Sequence, residues 1–297
     1  MTTTTDDRPT LEQDATLDET LRRVAYEAGM MLGLEATRDE QQYHRRRLTR
    51  HQYWLHGYGT LAGMAVSMDP ASHPNAIDNI TVHLIVGPGL GLDGLGREVL
   101  IHEPYCIDLG QWLAAQNETN LREGYDDDQD RLYLNVMVRQ KDCSVAAQPV
   151  LARKLNLSTD AVQPSRITDS VLLELVPGLP EAMDARYRPW ACHAAVNDAL
   201  PALTAEEQAT LDATAGQTHV QLSLHARLLH AMDSGGVATQ NLADELEEGA
   251  RLLLALVTLQ TTDVNAIIVN PQNIAINNLV RPFLVSASQL AWLLRQP

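Results

Sequence analysis

The stretch Thr81-Val82-His83-Leu84-Ile85-Val86-Gly87-Pro88-Gly89-Leu90-Gly91-Leu92-Asp93-Gly94-Leu95-Gly96-Arg97-Glu98 decides how this chain is read. Its opening six residues form the clearest strand pattern in the sequence, and residues 60–68 and 97–102 carry two shorter ones. Gly87-Pro88-Gly89 and Leu92-Asp93-Gly94 have the composition of turns between those strands. The glycine run could suggest a phosphate loop. It lacks the Lys-Ser/Thr such a loop needs, and it lies between strands rather than ahead of a helix. Its glycines are therefore read as turn residues that tolerate positive φ.

Two helices are expected upstream, after a polar, mobile N-terminus over residues 1–16. Leu17, Leu21, Val24, Ala28, Met31 and Leu32 fall on one helical face, with Asp18 and Glu19 in the first turn and Gly33 as a stop. A second helix is expected over 38–56. His44, Leu48, His51 and Leu55 share its stripe, and the arginines fall to the sides. Gly57 and Gly59 then break it. Downstream, residues 107–116 suit a short helix and 124–130 an acidic solvated loop. Residues 131–139 alternate as a half-buried strand, and 167–176 read as another. Helical pieces are expected over 181–199 and 204–214, an alternating strand over 219–228, a buried strand or a helix over 252–260 with the following threonines favouring the strand, short strands over 266–269 and 273–276, and a terminal helix over 286–294. The fold class expected is α+β: an N-terminal helical pair, a β-rich middle of shell or sandwich type, and a short C-terminal helix. The domains expected are the mobile 1–16, a helical docking segment 17–57, a β-rich domain 58–176 and a mixed region 177–297, the last two packed as one unit or apart.

The 297 residues can bury a substantial core. With one Phe, four Trp and eight Tyr, that core must be mostly aliphatic. A net charge of −16 repels nucleic acid unless cations are clustered, and the only cluster is Arg45, Arg46, Arg47 and Arg50. No second basic stretch or aromatic platform accompanies it, so docking onto an acidic protein surface is the better reading. Cys106, Cys143 and Cys192 are odd in number and widely spaced, with no CxxC, which indicates neither a zinc site nor a disulfide framework. No secretory signal pattern opens the chain, and its longest apolar run is too short to span a bilayer.

Catalytic and metal readings find little support. His44 and His51 share a helix face, but helical zinc sites use ligands four apart; partly buried histidines bonded to backbone or to Glu40 are the plainer reading. The loop with Asp126, Asp127, Asp128 and Asp130 lacks the glycine and distal glutamate of an EF-hand. No GxSxG elbow occurs, and Cys143 has no neighbouring His in sequence. No catalytic residue, cofactor site or metal site is assigned.

A resemblance enters through the order of motifs. Gly29-Met30, then Asp39 with Gln41, Gln42 and Tyr43-His44-Arg45-Arg46-Arg47, then His56-Gly57 with Gly59 and Gly63, then Pro88-Gly89 with Asp93-Gly94 and Gly96-Arg97-Glu98, resembles a large uncharacterised bacterial family. Its members tend to be encoded with contractile injection systems, the phage-tail-like particles. Pro164-Ser165-Arg166-Ile167 with Asp169-Ser170, Leu254-Ala255 with Val257 and Leu259, and Arg281-Pro282 are similar to further signatures of that family, so the likeness spans nearly the whole chain. A fainter likeness exists to the type VI secretion baseplate protein that joins the wedge to the membrane complex, carried by Glu27-Ala28-Gly29-Met30 and Gln41-Gln42-Tyr43. One departure is Leu34-Glu35-Ala36, where the family often has an aromatic.

The resemblance implies a non-enzymatic structural component of such a particle, at the baseplate or another tail end. It would work through contacts with other subunits, as a homo-oligomer and specifically a trimer, without nucleic acid or membrane insertion. It would assemble in the cytoplasm and could form part of a released extracellular particle. Tyr43, Arg45, Arg46, Arg47 and Arg50 are the expected contact residues. Two other function classes stay open: a β-type module binding carbohydrate or a surface polymer at the particle tip, which would need an exposed aromatic platform from Trp54, Trp112, Trp190 or Trp292, and a hydrolase with a scattered site.

Overall fold

The computed structural model describes residues 21–69, 82–149, 162–180, 202–213, 222–223, 226, 249–264, 267 and 269–294. The expected mobile segment 1–16, the helical pieces expected over 181–199, and most of 219–228 lie outside these. The class is α+β, with an N-terminal helix, a β-rich middle and a short C-terminal helix. The chain divides into two compact units. One comprises Met1–Tyr58, Gly94–Arg97 and Arg186–Ala250; the other comprises Gly59–Asp93, Glu98–Ala185 and Arg251–Pro297.

The first unit is built around α1 (Leu34–His56), a helix of 23 residues with Glu35 in its first turn. Gly57, at φ 79°, caps its C-terminus in a conformation that an L side chain rarely adopts. The expected partner helix is corrected: residues 21–33 form no helix, only a turn in which Met30 N–H donates to the Glu27 carbonyl at 3.2 Å. Gly29 takes φ 89° in that turn. Met31 is 98 % exposed, so the apolar stripe buries too little to hold a helix that carries a glycine in its middle. Glu40 instead accepts the Val24 N–H at 3.2 Å, tying the segment to α1. The unit also holds α4 (Ala205–Asp212), which opens with a Thr204–Glu207 capping box. The strand expected over 219–228 is corrected where it can be seen, because residues 222, 223 and 226 are helical.

The second unit holds three sheets. Strands β1 (Gly59–Gly63), β4 (Gly89–Leu92) and β5 (Glu98–Ile101) form one, in the order β1-β4-β5. Strands β2 (Val66–Met68), β3 (His83–Val86) and β6 (Tyr105–Asp108) form the second, in the order β2-β3-β6. All their pairings are antiparallel. Each strand of one sheet continues into a strand of the other: β1 into β2, β3 into β4, β5 into β6. The two sheets are thus one three-stranded meander folded along a crease through Met64-Ala65, Gly87-Pro88 and residues 102–104. This corrects the reading of Gly87-Pro88-Gly89, which bends a strand and does not reverse it. Asp93–Arg97 does reverse the chain, between β4 and β5, as expected.

The crease is held by backbone. Met64 N–H donates to the Pro88 carbonyl and Gly87 N–H to the Ala65 carbonyl, both at 2.9 Å. A Cβ on Gly89 would lie 2.3 Å from the Met64 nitrogen, and one on Gly63 would lie 2.2 Å from the Pro88 oxygen. Only glycine lets the two chains approach this closely. Arg281, 4 % exposed, clamps the same place, donating from Nη1 to the Gly63 carbonyl at 3.2 Å and from Nε to the Asn278 carbonyl at 3.0 Å. Asn278 in turn accepts the Val66 N–H and donates to the Val66 carbonyl, each at 2.9 Å.

The third sheet carries the largest core. β10 (Leu252–Gln260) lies between β11 (Ile274–Asn277) and β8 (Arg131–Pro149), and the far edge of β8 pairs first with β7 (Tyr125–Asp126) and then with β9 (Val162–Pro177). Leu132, Leu134, Val136 and Val138 of β8 are fully buried, as are Leu252, Leu254, Ala255 and Val257 of β10. The register between β10 and β8 shifts between Leu253 and Ala255. That irregularity explains how neighbours Leu254 and Ala255 can both point inward despite the period-two alternation of a strand. Short helices α2 (Leu109–Ala114) and α3 (Glu118–Arg122) start on side-chain caps from Asp108 and Asn117. The terminal helix α5 (Ala287–Leu293) opens with a Ser286–Gln289 capping box.

Candidate interaction surfaces

The expected contact residues lie on α1, but on different sides of it. Arg45 and Arg47 are exposed and Arg50 is half-buried, whereas Arg46 is 7 % and Thr49 5 % exposed. Residues 46, 49 and 50 share one face by their spacing, so among the described side chains the buried face of α1 is polar. Neither Arg46 nor Arg50 is without a partner, as buried charge requires. Arg47 donates to the Tyr43 hydroxyl at 3.1 Å, and His44 bonds Glu40 at 2.9 Å as expected, but from an exposed ring rather than a partly buried one. Tyr43 and His44 meet edge to face at 5.3 Å.

The opposite face of α1 is a correction to the expected amphipathic packing. Leu34, Leu48 and Leu55 are 67 %, 58 % and 67 % exposed, and Thr37, Gln41, His44 and His51 between them are exposed too. These seven residues recur at alternating spacings of three and four, so three leucines and four polar side chains share one exposed seam along the helix. The arginine cluster is therefore split: Arg46 is part of the fold, while Arg45 and Arg47 flank the exposed seam.

The other motif residues build the fold. Gly59, at φ 140°, accommodates the backbone of Phe283 and Leu284, whose segment runs along β1 through Thr60 N–H to the Pro282 carbonyl at 2.9 Å and Leu284 N–H to the Thr60 carbonyl at 3.0 Å. Asp93 is fully buried and Arg97 nearly so, and both have partners. Gly94 donates to the Gly249 carbonyl at 2.8 Å, and Gly96 takes φ 79°. His56 ends α1, exposed, with its ring against His51 at 5.3 Å. Arg166 stands exposed on β9.

Two features escaped the sequence reading. The first is His83, which stands 3.9 Å from Asp69 and 3.8 Å from Asp108. Its register partner is Asp108, while Ile85 faces Cys106, so His83, Asp108 and Cys106 share the outer side of one sheet. Asp69 and Asp108 lie 14 and 25 positions from His83 in the chain and give no local sequence signal of this meeting. The separations exceed hydrogen-bonding distance. Among the described residues no group of His, Cys, Asp and Glu is placed to hold a metal ion. The second is the length of the β8–β9 ribbon. β10 pairs with β8 only as far as Val138, but β9 accompanies β8 to Pro149. Eleven residues of β8, 139–149, thus continue in two-stranded form, about 35 Å at the usual strand rise.

Elsewhere, Asp126 accepts the N–H groups of Asp128 and Gln129 at 3.0 and 3.2 Å, which orders the acidic loop as a turn. Desolvation and then the carboxylates of Asp130, Asp127 and Asp263 push the Tyr125 phenol above its ordinary range. Glu118 raises Arg122, and burial lowers Arg281. Of the tryptophans, Trp112 is half-buried and Trp292 is 62 % exposed; Trp190 and the Trp54 side chain lie outside the described set. No helix among the described residues is long and apolar enough to cross a membrane. Neither a protein-family model nor a curated protein matches the chain.

Proposed function

We propose that this chain is a non-enzymatic structural component of a contractile, phage-tail-like particle, placed at the baseplate or another tail end and acting through subunit contacts. The observation that carries the reading is α1, whose Leu34, Leu48 and Leu55 face solvent along one exposed seam while the described side chains of its buried face are polar. A helix of 23 residues that turns its leucines outward is organised to dock. Arg45 and Arg47 beside the seam supply planar, charge-bearing contacts to an acidic partner subunit. The motif residues behind the family resemblance support the same reading. Gly59, Gly63, Gly89, Asp93 and Arg97 shape strands and turns, so the motif specifies a scaffold rather than a reaction centre.

The test is to purify intact particles from the native host and quantify the chain by mass spectrometry, with a sheath mutant as control. Stoichiometric presence that disappears in the sheath mutant is expected. Leu48→Asp with Leu55→Asp, both at exposed positions, should leave the purified chain folded and remove it from particles. Absence of the unaltered chain from particles would refute the particle role; normal incorporation of the double variant would refute docking through α1.

A further inference from the structure

The β8–β9 ribbon beyond the sheet has two faces of opposite charge. Residues paired across an antiparallel ladder point to the same side, and sides alternate along each strand. The side that continues the core face of Val136 and Val138 carries Asp142 opposite Asp169 and Ser144 opposite Ile167. The other side carries Lys141 opposite Ser170, Cys143 opposite Thr168 and Val145 opposite Arg166. Lys141, Asp142, Arg166 and Asp169 are all exposed, and Ile167 and Val145 are 53 % and 39 % exposed. Over the rows of residues 141 to 145, each side thus offers two like charges and one aliphatic side chain. At the root of the ribbon Glu174 meets Arg139 and Arg251, and on the acidic side Gln140 Nε2 donates to Asp142 Oδ1 at 2.7 Å, a neutral partner that leaves the charge of the row in place.

An isolated ribbon of this kind is a poor structure in water. Two-stranded hairpins are marginal alone, and two carboxylates directly opposite on one face repel. A counter-charge seated on the Asp142–Asp169 row would relieve that repulsion. Lys141 and Arg166 lie diagonally about the Cys143–Thr168 row, about 13 Å apart along the strands, and their long side chains can converge over it. Seating the Asp142–Asp169 row of another copy there sets each carboxylate against one cation. It also places Ile167 near Val145.

We infer that the partner of this ribbon is a second copy of the same chain, bound head to tail, with the acidic face of one ribbon on the basic face of the next. In a chain of net charge −16, association between copies needs such local complementarity to overcome overall repulsion. Each ribbon has both a giving and a receiving face, so the contact is heterologous. It generates a ring where the rotation closes and a filament where it does not. One ribbon face offers on the order of 350 Å², from a length of about 35 Å and the width of two strands. That is below the roughly 800 Å² per partner of a stable interface, so the association is concentration-dependent and sensitive to salt. The inference names a partner within the subunit-contact role proposed above, and it uses none of the residues of α1.

The test is sedimentation velocity on the purified full chain, across a concentration series at low and at high ionic strength. The unaltered chain should sediment as oligomers at low salt and shift toward monomer at high salt. Asp142→Lys with Asp169→Lys should give monomer, and so should Lys141→Glu with Arg166→Glu. Mixing these two double variants should restore association, because each then offers the charge that the other lacks. The chain with all four reversals should associate on its own. Circular dichroism of each variant should match the unaltered chain, since all four positions are exposed. A chain that stays monomeric at low salt and high concentration, or double variants that associate like the unaltered chain, would overturn the inference. Loss of ribbon self-association would leave docking through α1 intact, and the particle assay would read that separately.

Discussion

Alanine at Gly89 and alanine at Gly87 should have opposite consequences, although only two positions separate them. At Gly89 the new Cβ would lie 2.3 Å from the Met64 nitrogen, 2.5 Å from the Ala62 oxygen and 2.7 Å from the Gly63 carbonyl carbon. All three are backbone atoms, so no side chain can turn aside. The strands at the crease must part by about 1 Å to reach ordinary van der Waals distance. That movement breaks the 2.9 Å bond from Met64 N–H to the Pro88 carbonyl, at a residue with no exposed surface. Overpacking costs about 1–3 kcal/mol, and an unsatisfied buried backbone group costs about 1–3 kcal/mol more. A loss of roughly 3–5 kcal/mol is expected, enough to lower the melting midpoint by about 10 °C. At Gly87 the nearest atom to the new Cβ is the Ala65 oxygen at 3.6 Å, an ordinary contact, and φ is not in the left-handed region. Gly87→Ala should then be neutral, or raise stability by about 0.4–1 kcal/mol by restricting the unfolded chain. Urea titrations followed by far-ultraviolet circular dichroism would compare the two midpoints on one chain background. Equal midpoints for the two variants would refute the backbone crease as the reason for glycine at position 89.

Three further outcomes follow from the same geometry. Asn278→Ala removes both bonds to the Val66 backbone and strips a partner from buried Arg281; a loss of about 2–4 kcal/mol should appear in thermal melts, and an unchanged melt would show the clamp to be dispensable. Arg46→Glu should destabilise by about 3 kcal/mol or more, because it reverses a charge at a buried, partnered position, while Arg45→Glu at an exposed position should change stability by less than about 0.5 kcal/mol; limited proteolysis that cuts both variants equally would contradict the split of the arginine cluster. The Tyr125 phenol is held above its unfolded value, first by desolvation and then by Asp130, Asp127 and Asp263, and it donates to the Thr261 carbonyl at 3.2 Å. Its contribution is therefore complete below the unfolded value near 10.0 and is lost as pH rises through the higher folded value; Tyr125→Phe should remove this alkaline loss from a stability–pH curve, and identical curves for both chains would exclude it.

Much of the fold was readable because the relevant physics is local. Residues 252–257 are continuously apolar and suit a buried strand or a helix, and the threonines at 258, 261 and 262 tip the reading to the strand that β10 forms. Gly57 and Gly59 announced the exit from α1 because few other residues reach their φ values. The helices expected over 204–214 and 286–294 form as α4 and α5 within two residues of those bounds, and each opens on a capping box. The errors share a cause. A helix over 17–32 was read from an apolar stripe, but a stripe makes a helix only when something buries it, and Met31 has nothing over it. Gly87-Pro88-Gly89 has turn composition, yet composition cannot distinguish a reversal from a crease. That distinction depends on Ala65 and Met64, more than 20 residues earlier, being there to bond.

The interaction surfaces divide in the same way. Composition and order established an acidic, aliphatic-core α+β chain with one arginine cluster, because charge, apolar period and turn residues are properties of short windows. Which side of α1 is buried could not be read from its sequence, since a stripe of leucines normally faces inward and here the polar Arg46 and Thr49 do. The meeting of His83 with Asp69 and Asp108, the clamp of Arg281 and Asn278 on the crease, and the two opposed charge faces of the β8–β9 ribbon were likewise decided only by tertiary structure. Each depends on a pairing register or on contacts between distant segments. A shift of one residue in the β8–β9 register would move Asp169 off the row of Asp142 and onto the other face.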